Sequence, residues 1–390
     1  MIKKLTGLAI LSIITGIMVV LMLVTIYRTD DMTDEPGLLF PDLYNELTTV
    51  DTIRFSSGEG QFILKRDGED WFLPEHYNYP ADFDRVKRML VDMADAKLLE
   101  PKTDKEAQYS ILGVEGAEPD VAGGSSITIE LSDGDEPVAG VILGKVRDIT
   151  VQTGPQQVYV RRVGDKQSWL VEGYLQISPA MLNWIQLQVM DLARERIAKV
   201  EIVQPDGSKA ELVNLGEKDK FGTPEAGKDT VFKYEQLGYD IAGSLHQLRM
   251  EDVLPVAEFK RGNAEVVTAR FTTFDGLVVT SQTSFNDGFY FSTFSADYDA
   301  SAVQQAPEDI QQLDVLKTAE EVQSEAAELN EKLSPWVYRL SGFVGTNLMR
   351  AKEDMVEQPE PEADAMPTEA ESSPLTPMAA PDFSGFGPAQ

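Results

Sequence analysis

The most constraining feature of this sequence is the uncharged, mostly apolar run from Leu5 to Tyr27, 23 residues long. As a helix, such a run extends about 35 Å, enough to cross about 30 Å of hydrocarbon. Lys3 and Lys4 precede the run, whereas Arg28 and several acidic residues follow it. This asymmetry predicts that residues 1–4 are cytoplasmic and that residues 5–27 form a transmembrane signal anchor. The rest of the chain is then expected outside a bacterial cytoplasmic (inner) membrane, in the periplasm. A cleaved signal peptide is less favoured, because no small-x-small cleavage site precedes Arg28.

Charge and composition exclude several classes of function. The 390 residues carry 65 acidic and 34 basic side chains, for a formal charge of −31. Nucleic acid is therefore not an expected partner, because phosphate binding needs a basic surface. Cysteine is absent and only two histidines occur, which excludes disulfides, thiolate metal sites and a cysteine nucleophile.

Beyond the anchor, we expect a linker over 28–47 followed by two similar modules, over 48–190 and 191–350. Alternating apolar residues, as in Ile127-Thr-Ile129-Glu-Leu131, predict half-buried strands. Asp82 is the expected N-cap of a helix whose apolar face holds Val86, Met89, Leu90 and Met93. The fold class predicted is α+β, with each module a mainly antiparallel sheet that has helices packed on one face.

Landmarks recur about 150–160 residues apart, which is too long for a solenoid repeat. Ser178-Pro179 and Ser334-Pro335 are each expected to open a helix, and residues 308–333 are expected to form a charged helix. Residues 351–390 are rich in acidic residues and prolines. This composition predicts a disordered tail that is dispensable for folding.

No catalytic, cofactor-binding or metal-binding residue is predicted. Gly222-Thr-Pro-Glu-Ala-Gly227-Lys228 has Walker A spacing, but Asp229 follows where the motif needs Ser or Thr. His76 and His246 lie near no nucleophile motif. With 65 acids, pairs of carboxylates arise often, so a hydrolase that uses such a pair ranks third among the functions considered.

An aromatic-rich stretch near the end of the second module is the candidate ligand or interaction surface. Its members are Phe285, Phe289, Tyr290, Phe291 and Tyr298. Because alternate strand residues point to opposite faces, at least half of these rings are expected to be buried.

Several segments of the first module resemble a known family. They are Tyr79-Pro80-Ala81-Asp82, the run Val141 to Lys145, Val158 to Arg161 and Trp169 to Val171. Together they are similar to the family called domain of unknown function 4340, although Tyr109-Ser110-Ile111-Leu112-Gly113 replaces its usual Tyr-Gly-Leu. The resemblance implies one N-terminal anchor helix and a place beside transporter components of the gliding-motility ABC type. It implies no reaction and no catalytic residue.

We therefore expect a non-enzymatic, membrane-anchored accessory or scaffold subunit of an ABC-type envelope transport system. The expected partners are an ABC-type permease or a companion membrane subunit, and no cofactor is expected. The alternative is an envelope glycan- or lipid-binding module that uses the aromatic rings around 285–298.

The anchor makes a prediction about topology. Protease added to spheroplasts, which retain the inner membrane, should digest residues 28–390, because they lie outside the cytoplasm. Immunoblotting with a tag on each terminus would follow the digestion. Complete protection of the C-terminal tag in intact spheroplasts would rule this topology out.

Overall fold

The computed structural model describes residues 37–116, 126–147 and 155–357. The predicted anchor with its flanks Lys3, Lys4 and Arg28 lies outside these residues, as does most of the predicted tail. Among the residues described, no helix is long and apolar enough to span a membrane.

The first module is built on a nine-stranded antiparallel sheet with strand order β4-β3-β2-β1-β6-β7-β8-β9-β5. Its strands are β1 (Thr52–Ser57), β2 (Gly60–Asp67), β3 (Asp70–Leu73), β4 (Tyr79–Pro80), β5 (Lys97–Pro101), β6 (Ile127–Asp133), β7 (Glu136–Val146), β8 (Gln156–Arg162) and β9 (Ser168–Gly173).

The second module has another nine-stranded antiparallel sheet, in the order β10-β14-β18-β17-β16-β15-β11-β12-β13. Its strands are β10 (Gln188–Met190), β11 (Ile197–Val203), β12 (Lys209–Asn214), β13 (Phe221–Gly222), β14 (Leu248–Pro255), β15 (Val266–Thr273), β16 (Leu277–Asn286), β17 (Phe289–Tyr298) and β18 (Trp336–Leu340).

The two sheets repeat one topology over eight strands. With β4 and β10 set aside, the first sheet runs β3-β2-β1-β6-β7-β8-β9-β5 and the second runs β13-β12-β11-β15-β16-β17-β18-β14. Numbered along the chain within each module, the strands of both sheets follow the same order. The third, second and first strands are followed by the fifth to the eighth, and the fourth strand stands last. The recurrence seen in the sequence therefore has a counterpart in the connectivity of the sheets.

Helices are few and mostly short. They are α1 (Leu43–Glu46), α2 (Phe83–Ala94), α3 (Tyr109–Leu112), α4 (Leu237–Ala242), α5 (Glu308–Gln311), α6 (Ala319–Leu333) and α7 (Gly342–Leu348). The predicted cap of α2 is present, since the Asp82 side chain accepts a hydrogen bond from the Arg85 backbone N–H. Buried residues of α2, α4, α6 and α7 join one large core that includes the inner faces of both sheets. Two helices pack elsewhere: α3 packs on the opposite face of the first sheet, and Ile310 of α5 belongs to a small separate cluster with Ala198 and Phe274.

Three helix predictions are wrong in detail. Ser334-Pro335 leads into strand β18, because Trp336–Leu340 is rich in aromatic and branched residues and fills the gap between β14 and β17. Ser178-Pro179 leads into one 3₁₀ turn, Met181–Trp184, and then into β10. The predicted helix over 308–333 is divided into α5 and α6.

One extended segment, residues 184–192, joins the two sheets through its backbone. Near its start, Ile185 bridges Ala81 beside the β4 edge, and the Gln186 N–H donates to the Pro80 carbonyl. Further along, β10 pairs with β14 of the second sheet. The same segment therefore covers an edge of each sheet, and the core continues from one module into the other.

Side chains reinforce this junction. Tyr79 of the first module and Trp336 of the second meet edge to face, with ring centroids 4.9 Å apart. Burial raises the pKa of Tyr79 to about 12. His76 Nε2 lies 3.1 Å from a carboxylate oxygen of Asp252, whose other oxygen is 3.5 Å from the Arg339 guanidinium. Burial alone would raise the pKa of Asp252, but the contacts with His76, the Val253 N–H and Arg339 together hold it below its usual value.

The junction makes a pH-dependent prediction. Asp252→Asn should lower the free energy of unfolding at pH 7 by about 1–2 kcal/mol, because contacts to a charged carboxylate are lost. The folded-state pKa lies below the ordinary value of 3.8, so this contribution is present above that value and disappears as the pH falls through the lowered pKa. Urea unfolding from pH 7 down to about pH 2 measures the difference across this range. Glu251→Gln is the control, since Glu251 is more exposed than Asp252 and lies 3.7 Å from Arg339; an equal effect of both variants would contradict the assignment.

The C-terminal boundary makes a second prediction. Residues 351–357 are packed: Met355 is only 1% exposed, and Val356 bridges Phe232. Truncation after Ala351 should therefore lower the free energy of unfolding by about 2–5 kcal/mol, as loss of a core methionine does. Truncation after Glu357 should change the melting temperature by no more than about 2 °C. Calorimetry on both truncated proteins and the parent tests this, and equal melting of the two would contradict the new boundary.

Candidate interaction surface

The register of the β16–β17 hairpin divides the predicted aromatic surface between two faces. Asp287 and Gly288 form its two-residue turn, both with positive φ, which favours a type I′ geometry. Phe285 is paired with Tyr290, so these rings share one face. Asn286 is paired with Phe289 and Ser284 with Phe291, which places the two phenylalanines on the other face.

The first group lies on the face that carries the core. The Tyr290 ring packs directly against Gly345 of α7, where a Cβ atom would overlap the ring. Its hydroxyl lies 3.0 Å from the Thr346 hydroxyl. The ring centroids of Phe285 and Tyr290 lie 4.8 Å apart. The partly buried Tyr298 packs against the edge of the large core. Within this group, Phe285 remains 50% exposed.

The second group forms a patch on the opposite, outer face of the sheet. The Phe289 ring is 46% exposed and lies 5.0 Å from the Arg339 guanidinium. Phe291 contacts Phe259, with ring centroids 5.1 Å apart. We call Phe259, Phe289, Phe291 and Arg339 the outer patch.

Sequence reasoning missed Phe259 and Arg339. Phe259 lies in the connection between β14 and β15, and Arg339 lies in β18, which had been predicted as helix. The available signal was the aromatic and branched content of Trp336–Leu340, which favours a strand; pairing of β17 with β18 then places Arg339 beside Phe291. Arg339 also links the patch to the junction, because it contacts Asp252 and Glu251.

The segment with Walker A spacing lacks the geometry for phosphate binding. Only the 3₁₀ turn Gly227–Asp229 follows it, whereas a phosphate loop needs a helix. Lys228 instead pairs with Glu217 at 2.8 Å. The groove beside it, with a volume of about 580 Å³, mixes aromatic side chains with both acidic and basic ones.

The two histidines each face one carboxylate. His246 Nδ1 lies 3.0 Å from Asp191, and His76 faces Asp252 at the junction. No cluster of three or more His, Cys, Asp or Glu side chains that could hold a metal ion occurs within 37–116, 126–147 and 155–357.

Two of the segments that carried the family resemblance, 141–145 and 158–161, lie beneath residues 109–113 on the outer face of the first sheet. Residues 106–116, which we call the flap, cover strands β7 and β8 there. Gly144 leaves room for the flap, since a Cβ atom at this position would overlap the Leu112 carbonyl. Lys145 donates to the Ser110 and Ile111 carbonyls, and Arg161 stacks on Tyr109 at 4.5 Å.

Comparison with known proteins finds one family model that matches this part of the chain. The family model described as domain of unknown function (DUF4340) matches residues 71–269. The match runs from β3 into β15, so it includes the flap, the junction and the start of the second sheet. Neither the curated proteins nor the solved structures contain a match to this chain. Since the family model covers slightly more than half of the sequence, the chain belongs to the DUF4340 family.

Proposed function

We propose that this protein is a non-enzymatic accessory or scaffold subunit of an ABC-type envelope transport system. Leu5–Tyr27 would anchor it in the inner membrane, with the two modules in the periplasm. Its partner would be an ABC-type permease or a companion membrane subunit. The family resemblance supports this choice of partner, because it implies a place beside transporter components of the gliding-motility ABC type.

The outer patch is the observation that carries the proposal. Phe289 is nearly half exposed, and it lies beside Phe291 and an arginine on a face of β16 and β17 whose other residues are mostly polar. Aromatic and arginine side chains are enriched where proteins bind one another. A surface of this composition supports binding of another protein.

The junction supports the same function. A scaffold must hold its surfaces in a fixed relation, and here both sheets share a backbone segment and a continuous core. A single anchor would also keep this rigid body near the bilayer, which raises its effective concentration toward a neighbouring permease.

The alternative function, binding of an envelope glycan or lipid, receives less support. It requires the rings around 285–298 to form one platform, but the hairpin register places Phe285, Tyr290 and Tyr298 on one face and Phe289 and Phe291 on the other. Only the second pair joins the outer patch.

Affinity purification tests the proposal. Full-length protein carrying a C-terminal tag, solubilised gently from its own membranes, should bring down an ABC-type permease or companion subunit. Residues 28–390 alone should recover less, because the anchor no longer raises the effective concentration.

Two controls accompany this experiment. An unrelated single-pass protein with the same tag corrects for membrane carry-over. Repeated recovery of the full-length protein alone, together with saturable glycan or lipid binding by residues 28–390, would contradict the proposal in favour of the alternative.

A further inference from the structure

The repeated topology allows the outer faces of the two sheets to be compared strand by strand. Strands β7 and β8 of the first sheet hold the positions that β16 and β17 hold in the second. In both modules the inner face of this pair belongs to the common core. The remaining outer faces are therefore equivalent.

In the first module, the chain itself covers this face. The connection between β5 and β6, residues 102–126, includes the flap. Beneath the flap, Tyr109 is 5% exposed and Val114 is fully buried, and both pack on Ile142 of β7. Lys145 and Arg161 donate to flap carbonyls and hold it in place.

In the second module, the equivalent connection is much shorter and leaves the face open. Residues 256–265 join β14 to β15; Phe259 contacts Phe291, and the Lys260 carbonyl accepts a hydrogen bond from Asn286 beside Phe289. Phe289 stays largely exposed at the end of β17, next to the turn. In the first module the flap lies over the C-terminal half of β7, where it contacts Ile142, Gly144 and Lys145, and in the second module β16 ends beside Phe289.

We infer that the outer patch is the docking surface for a short polypeptide segment of the membrane partner, which covers the second sheet as the flap covers the first. This inference rests on the proposed function for the identity of the partner. A polypeptide is favoured over a glycan because the equivalent face is covered by a polypeptide in this same chain.

The first module also indicates the chemistry of the segment. The flap supplies an aromatic ring and an aliphatic side chain to the sheet, and its carbonyls accept hydrogen bonds from basic side chains. The basic side chains at the outer patch are Arg339, which belongs to it, and Lys260, which is exposed and has no ion pair with any residue that the structure describes. The matching segment would carry an aromatic and an aliphatic residue, with carbonyl or carboxylate oxygens toward these bases.

A matched pair of variants tests the inference. Phe289→Asp places a charge in the outer patch, whereas Phe285→Asp places it on the other face of the same hairpin at similar exposure. Both would be made in the full-length protein and their melting temperatures compared with the parent. Phe289→Asp should reduce recovery of the permease or companion subunit at least about tenfold, as loss of a central interface residue does, and Phe285→Asp should not.

The outcomes separate this inference from the proposed function. If the parent recovers no ABC-type subunit, the proposed function fails and the inference fails with it. If the parent recovers the subunit and Phe289→Asp does so equally well, the outer patch is not the docking surface, although the proposed function stands. Binding of purified peptidoglycan by residues 28–390, abolished by Phe289→Asp, would overturn the choice of a polypeptide.

Discussion

The rest of the structure depends on the pairing of residues 184–192 with both sheets. An unpaired sheet edge leaves backbone N–H and C=O groups without partners, which is costly where the edge is buried. This segment satisfies such groups beside β4 and then along β14. It also brings Tyr79 against Trp336 and His76 against Asp252, so the cores of the two modules merge. Two sheets that could have moved independently are thereby fixed relative to one another.

Within this frame, the modules share their strand order but differ in what covers their outer faces. The first uses a long connection, Gly144, Lys145 and Arg161 to keep the flap in place. The second has an additional helix, α6, on the inner side. There the Asn330 side chain hydrogen-bonds both backbone groups of Ala296, on a part of β17 that β18 does not reach. Both modules therefore have helices on the inner side, and within the described residues the first module alone has a flap over the outer face of this strand pair, while Phe289 stays exposed in the second.

Local patterns in the sequence were sufficient to predict most strands and helix α2. Ile129 and Leu131 are buried as their alternation predicts, and Asp82 caps its helix. Long-range pairing was not predictable. Trp336–Leu340 forms a strand because it pairs with β14 on one side and β17 on the other. The local Ser-Pro pattern carries no information about this long-range pairing. For the same reason the aromatic stretch identified Phe289 and Phe291 as surface candidates from the sequence. It did not identify Phe259 or Arg339, because these residues meet the two phenylalanines only through tertiary contacts.

Hydroxyl-radical footprinting would test the docking role of the second module most directly. It compares side-chain labelling in the free protein with labelling in the purified complex with its membrane partner. Phe289 and Phe259 should become protected in the complex, while Phe285 and Phe343, both well exposed on the free protein, should keep their labelling. Unchanged labelling of Phe289 in a complex that contains the permease or companion subunit would contradict the proposed docking surface.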